Sequence, residues 1–381
     1  MRKILVSSGE ASGDFYASLV VEELRRIYPD AEFFGCTGPR LRAVGVRTVV
    51  DAASLAVVGL FEVLGDIPRI YGEYRKLLAA ARHEHPDLAL LTNAPDFHLR
   101  VARRLHRQGV PVVYLVAPQV WAWRKGRLPG MRRTIRRLLC IFPFEEEFFR
   151  RAGIETTFIG HPLAGRVRPS MAREAYLMKH GLDPARPLIA VLPGSRRGEA
   201  ARHLPVVLDA VERINRERAV NVVLPASTTT GAAFFEERIG GAPVKTIEGG
   251  SWDAMAHCDI ALAASGTVTV EAALLNAPMV TFYRVTPLTY RLGKMLVDVP
   301  FYSMVNLIAG RALVPELIQD DMTGERLAAE SLRLLSDPAA RDTQRAGLAD
   351  VARKLSSRMG APENAARAIQ DILEGQVTHA S

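Results

Sequence analysis

Two loops of small residues in the second half of the chain have the composition of phosphate-binding turns. The first is Leu192–Glu199 and the second is Ser265–Glu271. Each follows an apolar run that predicts a strand, and each leads into a pattern typical of a helix. Small residues in such a turn let backbone N–H groups and a helix N-terminus approach an anion. The pair therefore predicts a nucleotide site.

The charged residues of these two loops predict how a nucleotide is held. Arg196 or Arg197 can pair with a diphosphate, because a guanidinium group matches phosphate oxygens in a bidentate geometry. Glu271 can accept both hydroxyl groups of a ribose, as acidic residues do in dinucleotide sites. The structural alternative is a solvated arginine and a glutamate favoured by the helix dipole. The predicted binding residues are Gly194, Ser195, Arg196, Ser265, Gly266, Thr267 and Glu271.

Two loops in the first half carry polar groups suited to a sugar. Ser8–Asp14 follows the first predicted strand and opens a helix, and its hydroxyl and carboxyl groups suit sugar hydroxyls. Asn93–Phe97 ends another predicted strand, where Asp96 is either a helix N-cap or a site residue. His161 lies in a Gly-His-Pro run at the predicted domain boundary and is either structural or in reach of substrate. The candidate residues are Glu10, Ser12, Gly13, Asp14, Asn93, Asp96 and His161.

Alternating strand and helix patterns predict the elements that position these loops. Strands are expected at 3–6, 87–91, 112–115 and 138–142, and again at 188–192, 220–224, 259–263 and 278–282. Such alternation is typical of parallel sheets flanked by helices, in an α/β fold. We expect two facing Rossmann-like domains, residues 1–163 and 164–340, with ligands at the carboxyl ends of the strands. Helices from about residue 340 to 381 are expected to pack back on the first domain or on a partner subunit.

Composition excludes several classes of protein and site. The three cysteines are isolated and form no metal-ligand motif, so neither a metal nor a cofactor is predicted. No apolar run approaches the ~18 residues of a membrane-spanning helix, and no signal peptide is recognised. We therefore expect a cytoplasmic protein.

The net charge of +8 predicts an anionic partner. Much of the excess lies in the basic run Arg124–Arg137, which contains no acidic residue. This run is either a solvated helix face or a contact for an anionic membrane surface. No recognised nucleic-acid motif accompanies it, so nucleic acid is not the expected partner.

The chain resembles the lipid-A-disaccharide synthase family in blocks that follow one another along most of its length. The blocks are Ser8–Asp14, Val57–Gly65, Val120–Arg124, Pro143–Glu145, Phe158–Pro162, Leu192–Arg196, Ser265–Glu271, Asn306–Arg311 and Glu316–Leu317. The resemblance implies an inverting GT-B hexosyltransferase that needs no metal. It also implies that Asn306 and Glu316 belong to the substrate-binding residues.

Members of this family join UDP-2,3-diacylglucosamine to 2,3-diacylglucosamine 1-phosphate, which is called lipid X. The reaction releases UDP and forms the β-1,6-linked disaccharide of lipid A biosynthesis. The resemblance thus implies that the second half binds the nucleotide and the first half binds the acyl acceptor.

The resemblance also implies a peripheral protein on the inner face of the cytoplasmic membrane. Burial of each CH₂ is worth ~0.8 kcal/mol, so a substrate with two acyl chains does not leave the membrane readily. Val57–Ile67 is too short to span a bilayer but suits an interfacial patch, the alternative being the buried face of a helix. A homodimer with exchanged C-terminal helices is a further expectation.

One residue departs from the family pattern. The family's motif after the strand 87–91 usually reads Asp-(Ala/Ser)-Pro-Asp-Phe, and this chain has Asn93 in the first position. That aspartate is the family's favoured general base for the acceptor 6-hydroxyl, and an amide cannot take the proton. Base catalysis typically contributes ~10²–10⁴-fold, so the change matters unless another group serves. Asp96 is the first substitute because it shares the loop, and Asp14 and Glu10 are the others.

Two alternatives to the synthase therefore stay open. The first is another UDP-sugar enzyme of the same fold, such as a 2-epimerase or a different hexosaminyltransferase. The second is a catalytically impaired homologue that binds a UDP-sugar or lipid, which Asn93 favours.

Overall fold

The computed structural model describes residues 1–55, 62–297 and 299–375. The chain divides into two compact units. The first comprises Met1–Pro162 together with the chain from Leu355 onward, and the second is Leu163–Lys354. Within the described ranges, no helix has both the length and the apolar character needed to cross a membrane.

The first unit is built on a seven-stranded parallel sheet. Its strands are β1 (Lys3–Ser8), β2 (Glu32–Thr37), β3 (Arg47–Asp51), β4 (Leu88–Thr92), β5 (Val112–Leu115), β6 (Arg137–Cys140) and β7 (Thr156–Phe158), in the order 3-2-1-4-5-6-7. The helices between them are α1 (Ala11–Ile27), α2 (Pro39–Ala43), α3 (Glu62–Glu84), α4 (Pro95–Arg107), α5 (Leu128–Thr134) and α6 (Pro143–Arg151). The central strands are continuous apolar runs because helices cover both faces of a parallel sheet.

The second unit is built on a six-stranded parallel sheet. Its strands are β8 (Leu188–Leu192), β9 (Asn221–Ala226), β10 (Lys245–Glu248), β11 (Ile260–Ala264), β12 (Met279–Tyr283) and β13 (Glu316–Ile318), in the order 10-9-8-11-12-13. The helices are α7 (Arg173–Lys179), α8 (Arg197–Glu217), α9 (Ala232–Ile239), α10 (Ser251–His257), α11 (Thr267–Leu274), α12 (Pro287–Leu296), α13 (Met304–Ala309), α14 (Gly324–Ser336) and α15 (Pro338–Leu355).

The core of the second unit explains why its sheet forms. Val191 on β8 and Leu262 on β11 are fully buried against the apolar face of α8, which includes Leu204 and Val207. Strand β8 pairs with β9 on one side and with β11 on the other. The strand order reverses at this point, and in open parallel sheets ligands bind outside the carboxyl ends of such strands.

The predicted fold class, parallel α/β sheets flanked by helices, is confirmed. The helices from about residue 340, expected to pack on the first domain or on a partner subunit, are divided between the two units. Helix α15 lies almost entirely in the second unit, whereas α16 (Ala361–Leu373) packs on α1 in the first.

Candidate functional site

A cavity of about 300 Å³ lies at the carboxyl ends of β8 and β11 in the second unit. The loops that follow β8, β9, β10 and β11 all contribute to its wall. The lining includes Gly194, Ser195, Ser227, Gly249, Ser265, Gly266, Thr267, Val268 and Glu271. Both loops predicted to bind phosphate therefore border one cavity.

Two helix N-termini border this cavity, whose lining also includes the carboxyl groups of Glu199 and Glu271. Helix α8 begins after its N-cap Arg196, and α11 begins after its N-cap Gly266. The first N–H groups of a helix have no acceptor within the helix, and they carry a partial positive charge. Gly194 has a φ of 118°, and a Cβ atom there would lie 2.7 Å from the carboxyl carbon of Glu199. Only glycine fits this turn.

Glu271 lines the cavity from the second turn of α11. Its Oε2 accepts a hydrogen bond of 2.8 Å from the indole Nε1 of Trp252 at the start of α10. Burial raises the pKa of the Glu271 carboxyl group, and the indole hydrogen bond opposes that rise. One carboxylate oxygen is thus held by the protein. Trp252 was not predicted. Its position directly after the small residues Gly249-Gly250-Ser251, which follow a strand, is a sequence signal that could have indicated a binding-site residue.

His203 is hydrogen-bonded to the backbone of the first phosphate-type loop. Its Nδ1 lies 2.8 Å from the carbonyl oxygen of Pro193, and its Nε2 lies 3.0 Å from the backbone nitrogen of Arg284. The carbonyl oxygen at Nδ1 is closer than the carbonyl oxygen of Arg284 at Nε2, which lies 3.2 Å away. We therefore assign the proton to Nδ1, and Nε2 accepts from the backbone nitrogen of Arg284. Burial lowers the pKa of His203, which favours this neutral ring. The histidine therefore fixes the backbone one residue before Gly194.

Two predicted substrate-binding residues have a different role in the structure. Asn306 is buried, and its amide oxygen accepts from the backbone nitrogens of Leu313 at 2.8 Å and Val314 at 2.9 Å. Its Nδ2 donates to Oε1 of Glu316 at 2.8 Å and to the carbonyl oxygen of Val314 at 2.9 Å. Both ends of the Asn306 amide are therefore engaged within the protein, and a contact with substrate stays a prediction.

Glu316 is likewise engaged by the chain. Its carboxylate oxygens each lie 2.9 Å from a backbone nitrogen, that of Tyr302 or that of Ser303. The carbonyl oxygen of Tyr302 in turn accepts a 2.9 Å hydrogen bond from the hydroxyl of Ser265. Glu316 is therefore linked through Tyr302 to the second phosphate-type loop, and a direct contact with substrate stays a prediction. Arg196 is exposed beside the lining residue Ser195.

The two candidate loops of the first unit meet at one edge of its sheet. Strands β1 and β4 are neighbours, and Nδ2 of Asn93 donates a 2.8 Å hydrogen bond to the hydroxyl oxygen of Ser12. A Cβ atom at Gly9 would lie 2.3 Å from the Cβ of Ala94. At Gly13, a Cβ would lie 3.2 Å from the amide carbon of Asn93. Close packing of the loops thus requires both glycines.

Buried groups hold the backbone at Asn93 in an unusual conformation. Asn93 and Ala94 have φ values of 58° and 39°, in the left-handed region that L-residues rarely adopt. The carbonyl oxygen of Asn93 accepts from the hydroxyl of Tyr114 at 2.7 Å and from Nδ1 of His98 at 2.8 Å. Nε2 of His98 accepts from the hydroxyl of Ser7 at 2.7 Å, and burial lowers the pKa of His98 to about 4. His98 and Tyr114 were not predicted.

The three acidic candidates of this edge differ in their surroundings. Asp14 is buried, and its carboxylate accepts from three backbone nitrogens at the start of α2, those of Gly38, Arg40 and Leu41, at 2.7, 2.8 and 3.3 Å. Asp14 thus caps α2, and its role as a candidate base stays a prediction. The carboxylate of Asp96 is paired with Arg124 at 3.1 Å and also with Arg127.

Glu10 is the exposed N-cap residue of α1. Among the residues that the structure describes, no N–H or guanidinium group is hydrogen-bonded to its carboxylate. It is therefore the acidic side chain of this edge that stays available to a ligand.

His161 lies inside the first unit rather than on a ligand-accessible surface. Its side chain is 2% exposed, and its ring packs against those of Phe142 and Tyr16 at centroid distances of 5.6 and 6.2 Å. Burial lowers the pKa of His161 to about 4. Aromatic side chains therefore surround His161 in this structure, and its contact with substrate stays a prediction.

A buried carboxyl group pairs with an indole in the same unit. Glu145 is 1% exposed, and its Oε1 accepts a 3.0 Å hydrogen bond from Nε1 of Trp121. Its Oε2 accepts from the backbone nitrogen of Phe142 at 3.3 Å. Burial raises the pKa of Glu145 to about 8. The hydrogen bond between Trp121 and Glu145 connects two blocks of the family resemblance, Val120–Arg124 and Pro143–Glu145.

We expect Glu145 to make the chain less stable as the pH rises from 5 to 8.5. The folded-state pKa of about 8 lies above the unfolded value of about 4.3, so folding favours the protonated form. This contribution is complete below the unfolded pKa and is lost as the pH rises through the folded pKa, by at most about 1.4 kcal/mol per pH unit. Urea unfolding of the wild-type chain and Glu145→Gln at several pH values measures it. Identical pH dependence in both proteins would contradict the assignment.

Part of the predicted membrane patch lies outside the described structure. The main part of Val57–Ile67 falls on residues or side chains that are not described, whereas Ile67 is 51% exposed.

In the described ranges, no three His, Cys, Asp or Glu side chains are grouped so as to hold a metal ion.

Comparison with known proteins identifies the family. Residues 4–369 match the family described as Lipid-A-disaccharide synthetase (LpxB). The chain is 73% identical over 381 residues to a lipid-A-disaccharide synthase of Solibacter usitatus, covering all of both proteins. It is 43% identical over 375 residues to the enzyme of Geobacter metallireducens, covering 98% of this chain and 97% of that protein.

Solved structures confirm the fold class. A putative UDP-N-acetylglucosamine 2-epimerase from Listeria monocytogenes is similar, with a TM-score of 0.64 and 15% identity over 100% of this chain and 97% of the other. The calicheamicin glycosyltransferase CalG4 is similar, with a TM-score of 0.62 and 17% identity over 99% of each chain. At such identities the likeness shows the fold alone. The sequence matches show more: this chain belongs to the lipid-A-disaccharide synthase family, glycosyltransferases of lipid A biosynthesis.

Proposed function

We propose that the chain transfers diacylglucosamine from UDP-2,3-diacylglucosamine to the 6-hydroxyl of lipid X, releasing UDP. The observation that carries this proposal is the cavity of the second unit, where two helix N-termini and the half-buried carboxylate of Glu271 share a wall. The first unit takes the lipid acceptor at the edge formed by the loops after β1 and β4.

The donor's diphosphate is proposed to lie against the N–H groups that begin α8 and α11. These groups are fixed before the reaction, so they stabilise the charge that develops on departing UDP without further reorganisation. Arg196, at the N-cap of α8, adds a guanidinium group. Glu271 accepts the ribose hydroxyls while Trp252 holds its other oxygen. No metal has a role in this proposal.

Glu10 is proposed as the general base for the acceptor hydroxyl. Asn93 cannot take a proton, the Asp14 carboxylate caps α2, and the Asp96 carboxylate is occupied by two guanidinium groups. Glu10 has no such partner among the described residues and lies two residues before Ser12. The Asn93 amide donates to Ser12 and can orient the acceptor rather than deprotonate it. Glu10 thus takes the place of Asp96 as the first candidate base. Asp96 had been ranked first because it lies in the same loop as Asn93.

We further propose that the protein binds peripherally to the inner face of the cytoplasmic membrane. The proposed contacts are the apolar segment Val57–Ile67 and the exposed arginines and lysine of the basic run Arg124–Arg137, whose last residue is itself buried and paired with Glu155. Trp123 is 40% exposed, and the guanidinium of Arg124 lies 4.2 Å from its ring centroid. Tyr71 is also exposed. Exposed aromatic rings beside arginines are typical of the lipid–water interface.

A second candidate is a homologue that binds the same ligands but transfers slowly. Asn93 is the observation that favours it, because an amide stands where the family has an acid. Titration with UDP-diacylglucosamine followed by lipid X separates the two functions. Binding without release of UDP would support the second candidate.

Calorimetric titration with UDP tests the nucleotide site. We expect one UDP site per chain, and Gly194→Ala should weaken binding about 10-fold or more, because both the positive φ and the contact with Glu199 oppose a side chain. Gly198→Ala is the matched control: it lies in the same segment, and its Cβ would meet no atom within 4 Å. Equal affinities for the two variants would place UDP elsewhere.

A further inference from the structure

The first unit contains a second cavity, of about 310 Å³, between α4 and α5. Four arginines line it: Arg100 and Arg103 on α4, Arg127 just before α5, and Arg133 on α5. Asp96 is the single carboxylate of the lining. The cavity is therefore strongly positive.

The positive charge of this cavity is not neutralised by the protein. Asp96 is already paired with Arg127 and with Arg124. Within the described ranges, no carboxylate oxygen lies within 4.0 Å of the guanidinium nitrogens of Arg100, Arg103 or Arg133. These three cations are available to a ligand.

The spacing of the arginines opposes folding of the helix that carries them. Arg100 and Arg103 are three residues apart on α4, and Arg103 and Arg107 are four apart, so like charges share one helix face. Like-charged pairs at these spacings destabilise a helix. A bound anion would reduce the repulsion between these arginines. If the arginines served only the fold, nothing in the cavity would offset that repulsion.

The cavity has room for a compact anion and opens at the edge proposed for the acceptor. A Cβ atom at Gly130 would lie 3.9 Å from Nη2 of Arg103, so the glycine of α5 faces this guanidinium group. The lining begins at Pro95 and Asp96, in the first turn of α4, directly after Asn93. The amino end of α4 also directs its positive dipole toward this edge.

We propose that the α4–α5 cavity binds the phosphate group of the acceptor sugar. The inference rests on the proposed function, which makes a sugar 1-phosphate the acceptor. A phosphate monoester carries a charge of about −1.5 to −2 at pH 7. Guanidinium groups bind its oxygens in pairs. Arg100, Arg103 and Arg133 supply the donors, while Asp96 holds Arg127 in place.

Direct binding of two acceptors tests the proposal. Lipid X and its phosphate-free counterpart, 2,3-diacylglucosamine, are titrated in detergent micelles against the wild-type chain and the double variant Arg100→Ala/Arg103→Ala. We expect the dissociation constant for lipid X to rise about 10- to 100-fold, the loss of about one charged hydrogen bond, and that for the phosphate-free acceptor to change less than about 2-fold.

Arg104→Ala is the matched control for this experiment. It removes one arginine from the exposed face of the same helix, and Arg104 does not line the cavity. We expect its affinity for lipid X to equal that of the wild type. Thermal unfolding of each variant verifies that the fold is retained.

Two outcomes would overturn the assignment. Equal weakening of both acceptors would show that the arginines act on structure rather than on phosphate. Weaker binding to phosphatidylglycerol vesicles, with lipid X affinity in micelles unchanged, would assign the cavity to phospholipid head groups. A chain that prefers the phosphorylated acceptor but forms no disaccharide would refute the proposed reaction while supporting the phosphate site.

Discussion

Replacing Glu10 by glutamine is expected to lower kcat for disaccharide formation about 10²- to 10⁴-fold, the usual contribution of a general base. Glutamine keeps the size and the hydrogen-bonding capacity of the side chain but cannot take a proton. Because Glu10 belongs to the first unit and the nucleotide cavity to the second, the dissociation constant for UDP is expected to stay unchanged. Steady-state kinetics and calorimetry on the same preparation measure both quantities.

Asp96→Asn is the matched control for Glu10→Gln. It removes an equivalent charge from the neighbouring loop, and we expect a smaller loss of kcat with a rise in KM for the acceptor, because Asp96 holds Arg127. The opposite ranking, a full loss in Asp96→Asn and none in Glu10→Gln, would make Asp96 the base. Introducing Asn93→Asp into Glu10→Gln should restore part of the rate if either position can supply the carboxylate.

Replacing Glu271 by alanine is expected to weaken UDP binding about 10- to 150-fold, the loss of one charged hydrogen bond. The proposed partners are the ribose hydroxyls, so the wild-type chain should bind UDP more tightly than 2′-deoxy-UDP. That preference should disappear in Glu271→Ala. Calorimetric titration with both nucleotides measures the difference.

Trp252→Phe refines the test of Glu271. It removes the indole N–H that holds Oε2 of Glu271 but keeps an aromatic ring at the start of α10. We expect a smaller loss of UDP affinity than in Glu271→Ala. If Glu271→Ala lost affinity equally for UDP and 2′-deoxy-UDP, the carboxylate would not contact the 2′-hydroxyl.

The strands that could be predicted are those with continuous apolar runs. Strands β8 and β11 are made almost entirely of apolar residues and lie at the centre of their sheet. The missed strands β3, β10 and β13 are edge strands of their sheets, and each contains polar residues. Strand β2 was missed although it is buried. It contains Gly35, where a Cβ would lie 2.0 Å from the carbonyl oxygen of Val6 on β1.

The candidate site was predicted best where its chemistry is local in sequence. A phosphate-type turn followed by a helix is contained in a few consecutive residues, and the loops at Gly194 and Ser265 do share a cavity. Roles that depend on distant partners were not predictable. Asp14 caps a helix 24 residues further on, and Glu271 is held by a tryptophan 19 residues away. Asn306 was assigned to the substrate-binding residues by the family resemblance, and its partners within the chain emerge only from the fold.

The central claim is that this chain transfers a diacylglucosamine unit between two lipid substrates. Mass spectrometry of a reaction containing the purified chain, UDP-2,3-diacylglucosamine and lipid X tests it most directly. We expect the disaccharide 1-phosphate and one equivalent of UDP, with both products greatly reduced in Glu10→Gln. UDP-sugar binding without any disaccharide, or conversion of a UDP-sugar in the absence of lipid X, would contradict it.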